Sequence, residues 1–163
     1  MSPIFIVMGV SGCGKSTIGK LLADRLELPF YDADDFHPDS NKEKMAKGIP
    51  LTDDDRLPWL YAIWDQMKIW TKADGAVLAC SALKETYRAL LSKELKVQWI
   101  YLDGNYELIR NRLNERKNHF FDPELLLSQF DILEVPDYAL KMDISNSPES
   151  IINSIISETK GYA

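Results

Sequence analysis

The chain has 163 residues, of which 45% are apolar and 27% charged, and it carries a net charge of −6. That length supports one domain with a real core, and the acidic balance argues against nucleic acid as a partner, because phosphate backbones require basic footprints. No apolar run approaches a membrane span, and the N-terminus reads as a buried strand rather than a signal peptide.

The elements alternate along the chain. Residues 3–8 read as a buried strand, and Lys15 to Leu26 as a helix with Ile18, Leu21, Leu22 and Leu26 at helical spacing. Residues 29–31 form a short strand that ends in acids. A helix is expected from His37 to Lys47, stopping at Gly48-Ile49-Pro50. Pro58 is expected to open the next helix, with Leu60, Ile63, Trp64 and Met67 on one stripe. Strands follow at 76–79 and 97–102, with helices at 84–95 and 106–116. Asp122-Pro123-Glu124 reads as an N-cap with proline at the first helical position. The last strand spans 138–144, and Ser147-Pro148-Glu149 starts the last helix. Strand and helix in alternation imply a parallel sheet covered on both faces, with ligands beyond the carboxyl ends of its strands.

Gly9-Val10-Ser11-Gly12-Cys13-Gly14-Lys15-Ser16 matches G-x-x-x-x-G-K-[ST] without a gap, and Thr17 follows. Such a loop turns backbone N–H groups toward phosphate oxygens, its lysine reaches the β- and γ-phosphates, and its serine ligates Mg²⁺. The strand before it and the helix after it supply the required context. The two cysteines, Cys13 and Cys80, make no metal-ligand pattern and fit a reducing cytoplasm. Motor and transport ATPases carry an apolar strand ending in an acid, whereas Ala76-Val77-Leu78-Ala79 ends in Cys80-Ser81. The base-reading Asn-Lys-x-Asp of GTPases has only a misplaced near match at Asn41-Lys42-Glu43-Lys44. Small-molecule and nucleotide kinases remain.

The acceptor side begins at Asp32-Ala33-Asp34-Asp35-Phe36-His37. Alternation in an extended segment would put Asp32 and Asp34 on one side, where one holds a magnesium-bound water and the other orients or deprotonates a hydroxyl. Thr52-Asp53-Asp54-Asp55-Arg56 is partly a helix entry, with Thr52 or Asp53 as cap. Arg56 reads either as a local ion pair or as an anion anchor. Lys84 and Arg88 are four apart and share a helical face, either solvated or at the active-site edge.

These segments, together with "GVSGCGKST", "CSALKETYR" and "HFFDPELLLSQFDILEVP", resemble the gluconokinases from the phosphate loop to the last helix. The resemblance implies an α/β fold: a three-layer α/β/α P-loop domain over residues 1–163, with a five-stranded parallel sheet in the order 2-3-1-4-5. It implies a nucleoside-monophosphate-kinase-like core and a helical lid over roughly 112–135. The implied reaction is ATP-dependent phosphorylation of D-gluconate at O6, with Mg²⁺, in a cytoplasmic homodimer without membrane or nucleic acid partners. Gly9 to Thr17 would hold the triphosphate, Asp34 would be the base, and Asp32 and Ser81 would bind magnesium through water. His37, Arg56, Lys84, Arg88, His119 and Gln129 become candidates for the polyol and carboxylate. Cys13 stands where a small residue is usual and would add redox sensitivity.

Arg112 and Arg116, four apart before the lid, supply the cations that a moving phosphoryl group needs. Arg116 is the choice for transition-state charge, with Arg110 its competitor, and Arg112 belongs near adenine. The stretch 143–148, ending at Pro148, fits an adenine loop or a plain N-cap and turn. The rivals are a kinase of another small hydroxylated acid such as shikimate, and a nucleotide-binding module without turnover. Trp59, Trp64 and Trp70 suit core or interface equally.

Overall fold

The computed structural model describes residues 1–116 and 123–159. Five parallel strands form one sheet in the order β2-β3-β1-β4-β5. They are β1 (Ile4–Met8), β2 (Phe30–Asp32), β3 (Ala76–Ala79), β4 (Val97–Asp103) and β5 (Leu140–Asp143). The expected order is therefore the observed one. Every residue of β1 and β3 is buried, as strands covered on both faces require.

Side chains alternate across the sheet and divide the core in two. Phe5 and Val7 pack with α1 (Lys15–Leu26), α5 (Tyr106–Asn114) and α7 (Pro148–Glu158), through Ile18, Leu22, Ile109, Leu113, Ile152 and Ile155. Leu126 of α6 (Pro123–Ile132) joins the same layer. Ile4, Ile6 and Met8 pack on the other face with α3 (Asp53–Trp70) and α4 (Glu85–Ser92), through Trp59, Leu60, Ile63, Met67 and Leu91. Trp59 and Trp70 are thus core residues. Trp64 is half-buried, its indole N–H donating to the Lys93 carbonyl at 3.0 Å.

Three expectations need correction. The third helix opens at Asp53, as the reading of Thr52 as a cap expects, and not at Pro58, because Thr52 and Asp55 form a reciprocal capping box there. Pro58 sits inside, where its missing N–H deprives only the carbonyl of exposed Asp54 of a helical partner. The segment after β2 is not extended: Ala33–Phe36 is a 3-10 turn capped by Asp32, whose Oδ1 accepts the Asp34 N–H at 3.0 Å. The helix expected from His37 is α2 (Asp39–Ala46), which begins only after Pro38 and leaves His37 outside it.

Candidate active site

The phosphate loop leaves the carboxyl end of β1 and closes on α1. Gly12 (φ +81°) and Gly14 (φ +100°) lie in the left-handed region that favours glycine. A Cβ on Gly12 would stand 2.6 Å from Leu113 of α5, whereas Gly14 has nothing within 4 Å. The loop is therefore packed at one glycine and open at the other. Lys15 Nζ donates to the carbonyls of Gly9 and Val10, each at 3.0 Å. Val10 and Cys13 are buried, and burial pushes the Cys13 thiol up, so it is a packed thiol rather than a reactive thiolate.

Ser16 Oγ donates to Asp32 Oδ2 at 3.3 Å, joining the loop to the end of β2. A hydroxyl and a carboxylate are the hard oxygen donors that a small hydrated dication prefers. Ser81 follows β3, which pairs with β2 through Ala79 and Asp32. Among the described residues no group of three or more His, Cys, Asp or Glu forms a metal cage.

Asp34 stands beyond the same strand ends. Desolvation by the surrounding protein raises its pKa, the neighbouring Asp32 charge adds to this, and Lys15 opposes it. A carboxylate raised this way is a stronger base than a solvated one. His37, three residues on, is buried and stacked on Trp59 at 4.3 Å between ring centres.

The cations of the acceptor side have unequal fates. Arg56 donates to the Tyr87 hydroxyl at 3.1 Å and lies over that ring. Lys84, the N-cap residue of α4, pairs with Asp53 at 2.9 Å, and Tyr87 donates to the same carboxylate. These bonds hold the Asp53 pKa below the usual carboxylate range. Arg88 is turned inward and 1% exposed. It donates to the Ala82 and Glu134 carbonyls at 2.6 Å each and to the Tyr138 hydroxyl at 2.9 Å. The expectation that Lys84 and Arg88 share an outward face is corrected: Lys84 precedes the helix, and the buried Arg88 turns inward to the Ala82 and Glu134 carbonyls.

Arg112 donates to the Ile144 carbonyl and, with Arg116, lines a cleft of about 390 Å³ beside Gly12, Cys13, Gly14 and Thr17. Asn146 and Pro148 also line it, so the 143–148 stretch is at once a turn, a helix cap and part of the cleft lining. Arg110 lies over the Tyr106 ring instead. Gln129 of α6 bonds to Ser11 of the phosphate loop. His119 and most of the connection from α5 to α6 lie outside the described residues. Tyr87, Asp53 and Asn41 escaped the sequence reading. Only the i,i+3 spacing of Lys84 and Tyr87 hinted at the first.

Residues 11–134 match the family model described as shikimate kinase. A probable gluconokinase of Dictyostelium discoideum is 47% identical, over 96% of this chain and 86% of its own. The thermoresistant gluconokinase of Escherichia coli is 40% identical, over 96% of this chain and 93% of its own. Among solved structures, a gluconokinase from Sinorhizobium meliloti superimposes with a TM-score of 0.88 at 35% identity, over 95% of this chain and 90% of that one. A shikimate kinase from Aquifex aeolicus gives 0.61 at 19% identity, a likeness of fold alone.

Proposed function

This chain belongs to the gluconokinases, within the shikimate kinase family, and we propose on that premise that its site transfers the γ-phosphate of ATP to O6 of D-gluconate. The observation that carries the reading is Asp34: a carboxyl group with a raised pKa, within the field of the phosphate-loop Lys15, at the carboxyl end of the sheet.

Asp34 accepts the proton of the attacking hydroxyl as the O6–P bond forms and the bond from phosphorus to the β-phosphate bridge oxygen breaks. Lys15 leaves the Gly9 and Val10 carbonyls for the phosphates, and the loop N–H groups hold the triphosphate. Arg116 meets the charge on the moving phosphoryl group, and Arg112 and Pro148 border the base. Ser16 would bind Mg²⁺ directly and Asp32 and Ser81 through water, and the ion would neutralise phosphate charge. Arg56 and Lys84 offer the gluconate carboxylate its counter-charges, and His37 faces the hydroxyls. Arg88 holds the frame behind them.

The resemblance also supports a homodimer, which sedimentation of the purified chain tests. Two free, buried cysteines suit a reducing cytoplasm, and among the described residues no helix is long and apolar enough to cross a membrane. Phosphorus NMR of the product tests the reaction. One phosphomonoester on the terminal carbon of gluconate for each ADP supports the reading, and phosphate released as the free ion refutes it.

A further inference from the structure

Asn41 is buried on α2, and both hydrogens of its carboxamide are committed. Nδ2 donates to the Asp55 backbone carbonyl at 2.8 Å and meets Nδ1 of His37 at 3.2 Å. A carbonyl oxygen only accepts, so the group facing Asp55 is the amide nitrogen, not its oxygen. The second hydrogen of that nitrogen then points at Nδ1, which must offer a lone pair. The ring proton is left on Nε2.

The surroundings hold this state. His37 stacks on Trp59 within 9° of parallel, and the Trp59 indole N–H is fixed to the Ala33 carbonyl at 2.7 Å, one residue before Asp34. Burial, Arg56 of α3 and Lys42 of α2 all disfavour the imidazolium and bring the His37 pKa down to about 4. Among the described residues Nε2 makes no hydrogen bond, and it is not among the sealed, unpartnered polar atoms. His37 is tied to the segment of the base, its backbone N–H donating to the Asp34 carbonyl at 3.4 Å, and the Arg56 charge reaches its ring.

We propose that Asn41 is a positioning residue that locks His37 as the neutral Nε2–H tautomer, making His37 a fixed hydrogen-bond donor to a hydroxyl oxygen of the polyol rather than a charge for its carboxylate. The role assigned to the donor rests on the gluconate reading, whereas the tautomer does not. The carboxylate is left to Arg56 and Lys84, and an acceptor with no hydroxyl oxygen at this position forfeits one hydrogen bond.

The test is ¹⁵N NMR of the imidazole rings in the full chain, which has two histidines, the His37 signals being those lost in His37→Gln. At about pH 7, His37 is expected to be neutral and protonated on Nε2. Adding gluconate should move the Nε2 and Hε2 signals without charging the ring. Protonation at Nδ1, or an imidazolium, overturns the proposal. Signals that stay still while the same sample phosphorylates gluconate overturn the donor role and leave the kinase reading standing. Absence of gluconate turnover defeats the kinase reading and the polyol role with it. Asn41→Asp supplies an acceptor in place of the donor and draws the proton to Nδ1. It should raise KM for gluconate about three- to tenfold, leave KM for ATP alone, and introduce a limb in kcat/KM between about pH 6 and 8. A KM change in Asn41→Asp with the Nε2–H signature intact would mean a merely structural role.

Discussion

Gln129 holds Ser11 by both ends of its carboxamide: Oε1 accepts the Ser11 backbone N–H at 2.7 Å, and Nε2 donates to the Ser11 hydroxyl at 2.9 Å. The two residues are 118 apart in sequence, so this pair ties α6 to the phosphate loop. Gln129→Ala removes both bonds and loosens the loop. KM for ATP is expected to rise about three- to tenfold, with KM for gluconate unchanged. The opposite pattern would make Gln129 a substrate contact, the role the resemblance implies.

Asp34→Asn should fold and bind ATP normally while kcat falls at least about a hundredfold, the lower range for a general base. In the parent, activity requires the ionised form. The raised pKa places the acid limb of the pH profile above the ordinary carboxylate range. A limb at the position of a solvated aspartate, or near-normal turnover in the variant, would move the base to Asp32.

The parallel sheet and the phosphate loop are legible because alternating strand and helix patterns and G-x-x-x-x-G-K-[ST] are local, whereas the strand order follows only from the resemblance. The helix entry is legible as a Thr52 cap, and the rival opening at Pro58 fails because the capping box starts the helix one turn before the proline. The inward turn of Arg88 was illegible. Spacing tells which residues share a helical face, but not that carbonyls of Ala82 and Glu134 converge behind that face. Asn41 gave no signal, since its importance lies in two contacts made across the fold.

Arg88→Leu therefore tests a structural assignment. The buried Ala82 carbonyl loses its donor and Glu85 its partner, which costs roughly 3 kcal/mol and lowers Tm by roughly 6–12 °C in a chain of this size. KM for gluconate in the folded fraction should change little. A large rise in KM with Tm unmoved would return Arg88 to the substrate.

Arg56→Ala should raise KM for gluconate at least about thirtyfold, as expected when one partner of a buried charge pair is lost, and leave KM for ATP nearly alone. Glucose, which has no carboxylate, should be a poor substrate of the parent and lose little further. Equal losses on both sugars would show that Arg56 serves Tyr87 and the fold, and the anchor would then be Lys84.

His37 sets a pH window for stability. Its pKa is lowered from 6.5 to about 4 in the folded chain, so the unfolded chain takes up its proton first. The contribution of neutral His37 is full above pH 6.5 and is lost as pH falls toward about 4. Urea melts across that window should show the decline in the parent, and a shallower one in His37→Gln.

The choice of acceptor is read out by ADP release measured at one ATP concentration with gluconate, shikimate, glucose and AMP. The kcat/KM for gluconate is expected to exceed that for each of the others by at least about a hundredfold, since polar groups built to pair with one substrate reject those that leave them unpaired. Comparable turnover of shikimate, or ADP release that no acceptor accelerates, would contradict it.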